Sequence, residues 1–108
     1  MKIEMARQQI KDFQEYVDAY EIYDPTNMKE MSIKLYAEIN NVSGVAKALN
    51  EMGYRKDGKL VAGKTAKVKL DSNDVTEMII SEVAEDDYLH SMVKKVLNRN
   101  RSGRSLLV

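Results

Sequence analysis

At 108 residues, with 17 basic and 17 acidic side chains, one histidine and no cysteine, the chain is the size of one domain with a single modest core, and its net charge selects no partner. The absence of thiols excludes disulfides, thiolate metal sites and a cysteine nucleophile, and His90 alone cannot supply a histidine cluster, so no metal or cofactor is expected. No apolar run approaches the ~20 residues of a membrane span, and the opening MKIEMARQQIKDF lacks the apolar core of a signal peptide, so no membrane partner and a cytoplasmic location are expected.

Ile3, Ala6, Ile10, Phe13, Val17 and Tyr20 recur at spacings of three and four, which predicts a long first helix with one apolar stripe. The spacing also fits a coiled-coil seam, but it spans fewer than three heptads. Packing on the domain core is therefore preferred, with a homodimer as the alternative. In YDPTNMKE, Asp24 is a candidate cap and Pro25 suits a first turn, predicting a second helix through Met28, Met31, Leu35 and Ile39. NNVSG breaks it, and Ser43 is the expected cap of a short third helix carrying Val45, Ala46, Leu49 and Met52 and ending at Gly53.

The next stretch contains GKLVAGKT, Gly58 to Thr65, which spells the G-x-x-x-x-G-K-[ST] of a phosphate-binding loop. That chemistry requires a buried strand before the glycines and a helix starting at the Lys-Thr, whose amides face the phosphates. Here EMGYRKD precedes the motif, and in TAKVKL Ala66, Val68 and Leu70 alternate with Lys67 and Lys69, the period of a half-exposed strand. Two strands, around 59–62 and 65–70 with Gly63 in the loop, are expected instead of a nucleotide site, and no enzyme is expected. LDSNDVTEMIISEV then predicts a fourth helix capped by Asp71, Ser72 or Asn73, with Val75, Met78, Ile79 and Val83 on its buried side. A fifth helix carries Leu89, Met92, Val93, Val96 and Leu97. The fold class is thus mainly α, about five helices with a wing-like β-hairpin between the third and fourth, as one helix-turn-helix-like domain over residues 1–98. Residues 99–108 are read as a flexible basic tail.

Charge is ordered along this frame. Residues 55–70 hold six basic side chains against Asp57 alone; 71–90 hold seven acids and no Lys or Arg; 91–108 hold five basic side chains and no acid.

Within LYAEINNVSGVAKALNEMGYRKDGK and LDSNDVTEMI, the residues Ser43, Ala46, Leu49, Asn50, Gly53, Tyr54, Gly58, Lys59, Ser72, Val75 and Ile79 carry a recurring pattern. It resembles the helix-turn-helix at the C-terminal end of resolvase and serine-recombinase proteins and, more loosely, other phage and plasmid helix-turn-helix regulators. The resemblance covers about half the chain and implies double-stranded DNA as partner, with a reading helix beginning near Ser72. It does not extend to the recombinase catalytic domain, so it implies binding by a regulator or accessory factor without strand cleavage. Leu60 to Leu70 intervene where the family usually needs a few residues, and the reading helix carries Asp74, Glu77 and Glu82, whose charge repels phosphate.

On that reading Arg55, Lys56, Lys59, Lys64, Lys67 and Lys69 contact the DNA backbone from the hairpin, and Arg99, Arg101 and Arg104 from the tail. Ser72, Asn73 and Thr76 are the base-facing candidates. Lysines on a strand face also serve simply to protect an edge from aggregation. The alternative function is a protein-binding inhibitor or adaptor that offers Asp74, Glu77 and Glu82, within the acidic segment 71–87, to a basic partner. His90 is read as a structural histidine, the seven methionines as core filling, Glu85, Asp86 and Asp87 as solvated charge, and Tyr16, Tyr20, Tyr23, Tyr36 and Tyr54 as half-buried core.

Overall fold

A computed structural model describes residues 2–101. They form five helices, α1 (Ile3–Ile22), α2 (Met28–Ile39), α3 (Val42–Glu51), α4 (Ser72–Ile80) and α5 (Tyr88–Arg101), with an antiparallel hairpin, β1 (Lys56–Val61) and β2 (Lys64–Val68), between α3 and α4. The expected mainly α class and the place of the hairpin are both present. No helix among the described residues is long and apolar enough to cross a membrane.

The core is where the apolar stripes of α2, α3, α4 and α5 meet: Ile33 and Tyr36, Val45 and Leu49, Val75 and Ile79, Leu89 and Val93 are all at most 2 % exposed. Only Asn40 and Asn41 separate α2 from α3. Asn40 takes the left-handed conformation (φ 60°) that asparagine tolerates, and Asn41 accepts from the Gly44 amide as the cap of α3. The turn is close-packed, since a Cβ on Gly44 would lie 2.8 Å from Ile39 Cγ2. Caps fall elsewhere than expected at two starts: Asn27, not Asp24, accepts from the Glu30 amide, and Asn41, not Ser43, caps α3. The side chain three residues before a free amide wins in each case.

At the far end of α4, Val83 does not lie on a buried helical face, because α4 stops at Ile80. Long-range donors take up the carbonyls there. His90 Nε2 lies 2.7 Å from the Ile79 carbonyl, which can only accept, so the imidazole carries its hydrogen on that nitrogen; Lys94 reaches the Ser81 carbonyl and Lys29 the Glu82 carbonyl. His90 is buried as a structural group. The fifth helix runs on through residues read as tail: Arg99 and Arg101 are helical, and Asn100 donates to the Tyr36 hydroxyl and to Asn40 Oδ1. Arg104 lies outside the described residues.

α1 departs most from expectation. It packs beside α5, with Tyr16, Ala19, Tyr20 and Tyr23 against the core, yet none of its residues is buried, and Ile3, Ile10 and Val17 of the predicted stripe are exposed. Its C-terminal end is anchored by polar contacts: Tyr23 donates its hydroxyl to Asp87, and Lys34 donates to the Tyr23 carbonyl. Burial and the Asp87 carboxylate together push the Tyr23 hydroxyl far above the usual phenol range, so it remains a donor at any physiological pH.

A side chain of α3 fastens the chain as it leaves the hairpin. Asn50, on the last turn of α3, donates from Nδ2 to the Leu70 carbonyl (2.9 Å) and accepts at Oδ1 from the Leu70 amide (2.8 Å). A planar amide here pairs with the backbone as a neighbouring strand would, while the Leu70 side chain enters the core. Asn50→Ala removes both bonds and leaves a partly buried amide and carbonyl unpaired, so a loss of about 1–3 kcal/mol in a urea unfolding titration is expected. Asn50→Asp keeps the acceptor alone and is expected to fall between.

Candidate nucleic-acid interface

The segment that spells a phosphate loop is the hairpin itself. Gly58 to Val61 belong to β1, Ala62 and Gly63 form the turn with φ of 52° and 76°, and Lys64 and Thr65 open β2. Two successive positive φ values make the type I′ turn that matches strand twist. Lys64 therefore starts a strand where a phosphate loop requires a helix N-terminus.

Strand boundaries shift from the expected ones to 56–61 and 64–68. Pairing runs Lys56 with Val68, Asp57 with Lys67, Leu60 with Thr65 and Val61 with Lys64, with an irregularity between Asp57 and Leu60 that holds Lys59. A half-exposed β2 was expected, but all five of its residues are exposed, and only Leu70 beyond it is buried. Both faces of the hairpin meet solvent. Since side chains alternate along a strand, Lys64 shares one face with Ala66 and Val68, and Lys67 lies on the other with Thr65.

The six expected backbone contacts of this region divide into two sets. Arg55 turns back on α3 and donates from Nη1 to the carbonyls of Asn50 (3.0 Å) and Tyr54 (2.6 Å), the place at a helix end where a cation is favoured. Lys56 bonds Asp74, at 2.7 Å from Oδ2, and lies 3.8 Å from Asp71; Lys67 pairs across the strands with Asp57. Lys59, Lys64 and Lys69 are exposed and form no ion pair within 4.0 Å among the described residues.

Beside the hairpin base lies an open cleft of about 510 Å³ between α3 and the start of α4. Lys47, Arg55 and Lys69 line it together with Ser43, Asn50 and Ser72, and so do the carboxylates of Glu51 and Asp71. Ser43 and Lys47 stand one turn apart on the exposed side of α3. Sequence reasoning passed over Lys47; the signal was its place on the polar side of the amphipathic helix that leads directly into the hairpin.

Of the base-facing candidates, Asn73 is exposed and Ser72 reaches the cleft, whereas Thr76 donates its hydroxyl to the Ser72 carbonyl. The acids do not form one helical face. Asp71 and Asp74 cap each other's amides in a capping box, Asp74 also binds Lys56, Glu77 is exposed on α4, and Glu82 lies beyond the helix. Nor do the basic groups share one site: Arg99 lines a groove between α1 and α5 with Phe13 and Tyr16, apart from the residues of the hairpin cleft.

Comparison with known proteins matches no protein-family model, no curated protein and no solved structure.

Burial works against the charge of Asp74, but hydrogen bonds from Lys56 and the Asp71 amide, with the Lys56 charge, hold its carboxyl below the ordinary carboxylate range. Lys56 is correspondingly raised, first by its hydrogen bond to Asp74. A carboxyl lowered on folding adds stability above its unfolded pKa and loses it as pH falls through the folded value. Lys56→Met is therefore expected to reduce the loss of Tm between about pH 5 and pH 3 relative to the parent; a thermal melt series over that range checks it.

Proposed function

We propose that the chain is a non-enzymatic DNA-binding protein, a regulator or accessory factor, that lays its hairpin and the adjoining α3–α4 cleft along the duplex backbone. One observation carries the reading: Lys59, Lys64 and Lys69 are exposed on the hairpin and its exit and form no ion pair among the described residues, and Lys69 lines a cleft with Lys47 and Arg55. A two-stranded hairpin with both faces in solvent gains little stability for the fold, whereas a cationic one can follow a groove edge or sugar-phosphate strand. The acids that would repel phosphate at the start of α4 are partly neutralised, because Lys56 and the capping box hold Asp74.

Side chains able to meet base edges in this arrangement are Ser43 and Lys47 on α3 and Ser72 and Asn73 on α4, which extends the contact set beyond α4. Tight-turn entry into α3 followed by a hairpin gives such a helix a neighbour that fixes its angle on DNA. The protein-adaptor alternative has less support, since Asp74 is engaged by Lys56 and Glu82 lies off the helix that carries Glu77.

The test is the salt dependence of binding to a mixed-sequence duplex. Replacing Lys59, Lys64 and Lys69 together with Ala should weaken binding and flatten the slope of log K against log salt by roughly 0.9 per lost phosphate contact. Lys67→Ala, which also releases Asp57, should lower affinity with a smaller change of slope than Lys64→Ala. An unchanged slope in the triple variant removes the hairpin from the interface.

A further inference from the structure

α1 has 20 residues and buries none of them. Ile3 (66 % exposed), Ile10 (68 %) and Val17 (47 %) recur every seven residues, with Ala6, Phe13 and Tyr20 three places after each. These are heptad a positions, all three β-branched; of the d positions, Phe13 lines the groove against α5 and Tyr20 packs on the core and bonds Glu38, so the a row is what stands clear of the body. The helix meets α5 through the side that carries Tyr16, and Val17 follows Tyr16 about 100° further round, so the a positions face away from the body. A solvent-facing row of isoleucine and valine thus runs along the helix.

We propose that this face pairs with α1 of a second copy of the chain in antiparallel orientation. Flanking charge selects both occupant and direction. The e positions are Arg7, Gln14 and Glu21, and in an antiparallel pair Arg7 meets the other copy's Glu21, Gln14 meets its own equivalent, and the Arg7–Glu21 pairing occurs twice. Parallel pairing instead sets Lys2 beside Arg7, two like charges, and leaves Glu21 opposite Tyr16. Fewer than three heptads do not hold an isolated coiled coil together, but α1 is already folded and braced by α5, so pairing need not meet the entropy of forming the helix. The pairing is independent of the DNA reading, because neither the hairpin nor the α3–α4 cleft takes part.

Sedimentation equilibrium of the full chain without DNA, at tens of micromolar, tests it. The expected mass is twice the 12.3 kDa of one chain. Ile10→Glu and Val17→Glu together should give single-chain mass with unchanged far-ultraviolet circular dichroism. Arg7→Glu should weaken the dimer at least tenfold, and adding Glu21→Arg should restore it, because the swapped charges again meet across the antiparallel seam. A single-chain mass for the parent protein, or a dimer indifferent to Ile10→Glu and Val17→Glu, overturns the pairing. A dimer tightened by Arg7→Glu alone overturns its direction.

Discussion

The paired hydrogen bonds between the Asn50 side chain and the Leu70 backbone fix how the hairpin leaves and re-enters the helical body. β1 and β2 contact little besides each other, so their orientation depends on their two junctions. On the entry side Arg55 closes the end of α3 through the Asn50 and Tyr54 carbonyls. On the exit side Asn50 holds the backbone of Leu70, whose side chain is buried, and Asp71 then starts α4 with its capping box. One asparagine thus belongs to both junctions, through its carbonyl and its side chain. Leu and Val at this position would fill space but leave the Leu70 amide without a partner.

This constraint also orders the charges. Lys56 at the start of β1 reaches Asp74 of α4, which holds the carboxyl low and partly neutralises one acid at the start of that helix. Asp57 and Lys67 neutralise each other across the strands. What remains outward on the hairpin and its exit is Lys59, Lys64 and Lys69. A stretch with six cations in the sequence therefore leaves three of them facing solvent, at the strand irregularity, at the turn and at the exit.

Much of the architecture was legible because α2, α3, α4 and α5 bury a single stripe, so that spacings of three and four mark both helix and core. The hairpin was legible from Ala62-Gly63 between two short alternating runs, although its alternation suggested a buried face that it lacks. Caps were less so: DPTN and NNVS each offer several chemically equivalent oxygens, and only geometry decides that Asn27 and Asn41 reach the free amides. The stop of α4 before Val83 depends on His90, Lys94 and Lys29 from distant elements, which no local window contains. For the candidate site, residue type identified the cations but could not say which were engaged. Lys56 and Lys67 differ from Lys64 only in having a carboxylate brought near by the fold. The apolar seam of α1 was visible as a period, and only the structure separates the side that meets α5 from the side left in solvent.

The central claim is that the hairpin and the α3–α4 cleft together form the surface that meets DNA. A titration of isotope-labelled protein with a mixed-sequence duplex, followed by amide NMR shifts at low salt, tests it most directly. The account predicts that the largest shifts fall on the hairpin, on Ser43 and Lys47, and on Ser72 and Asn73, and that they fade together as salt is added. Shifts confined to α1 and α5, or none even at low salt, would contradict it.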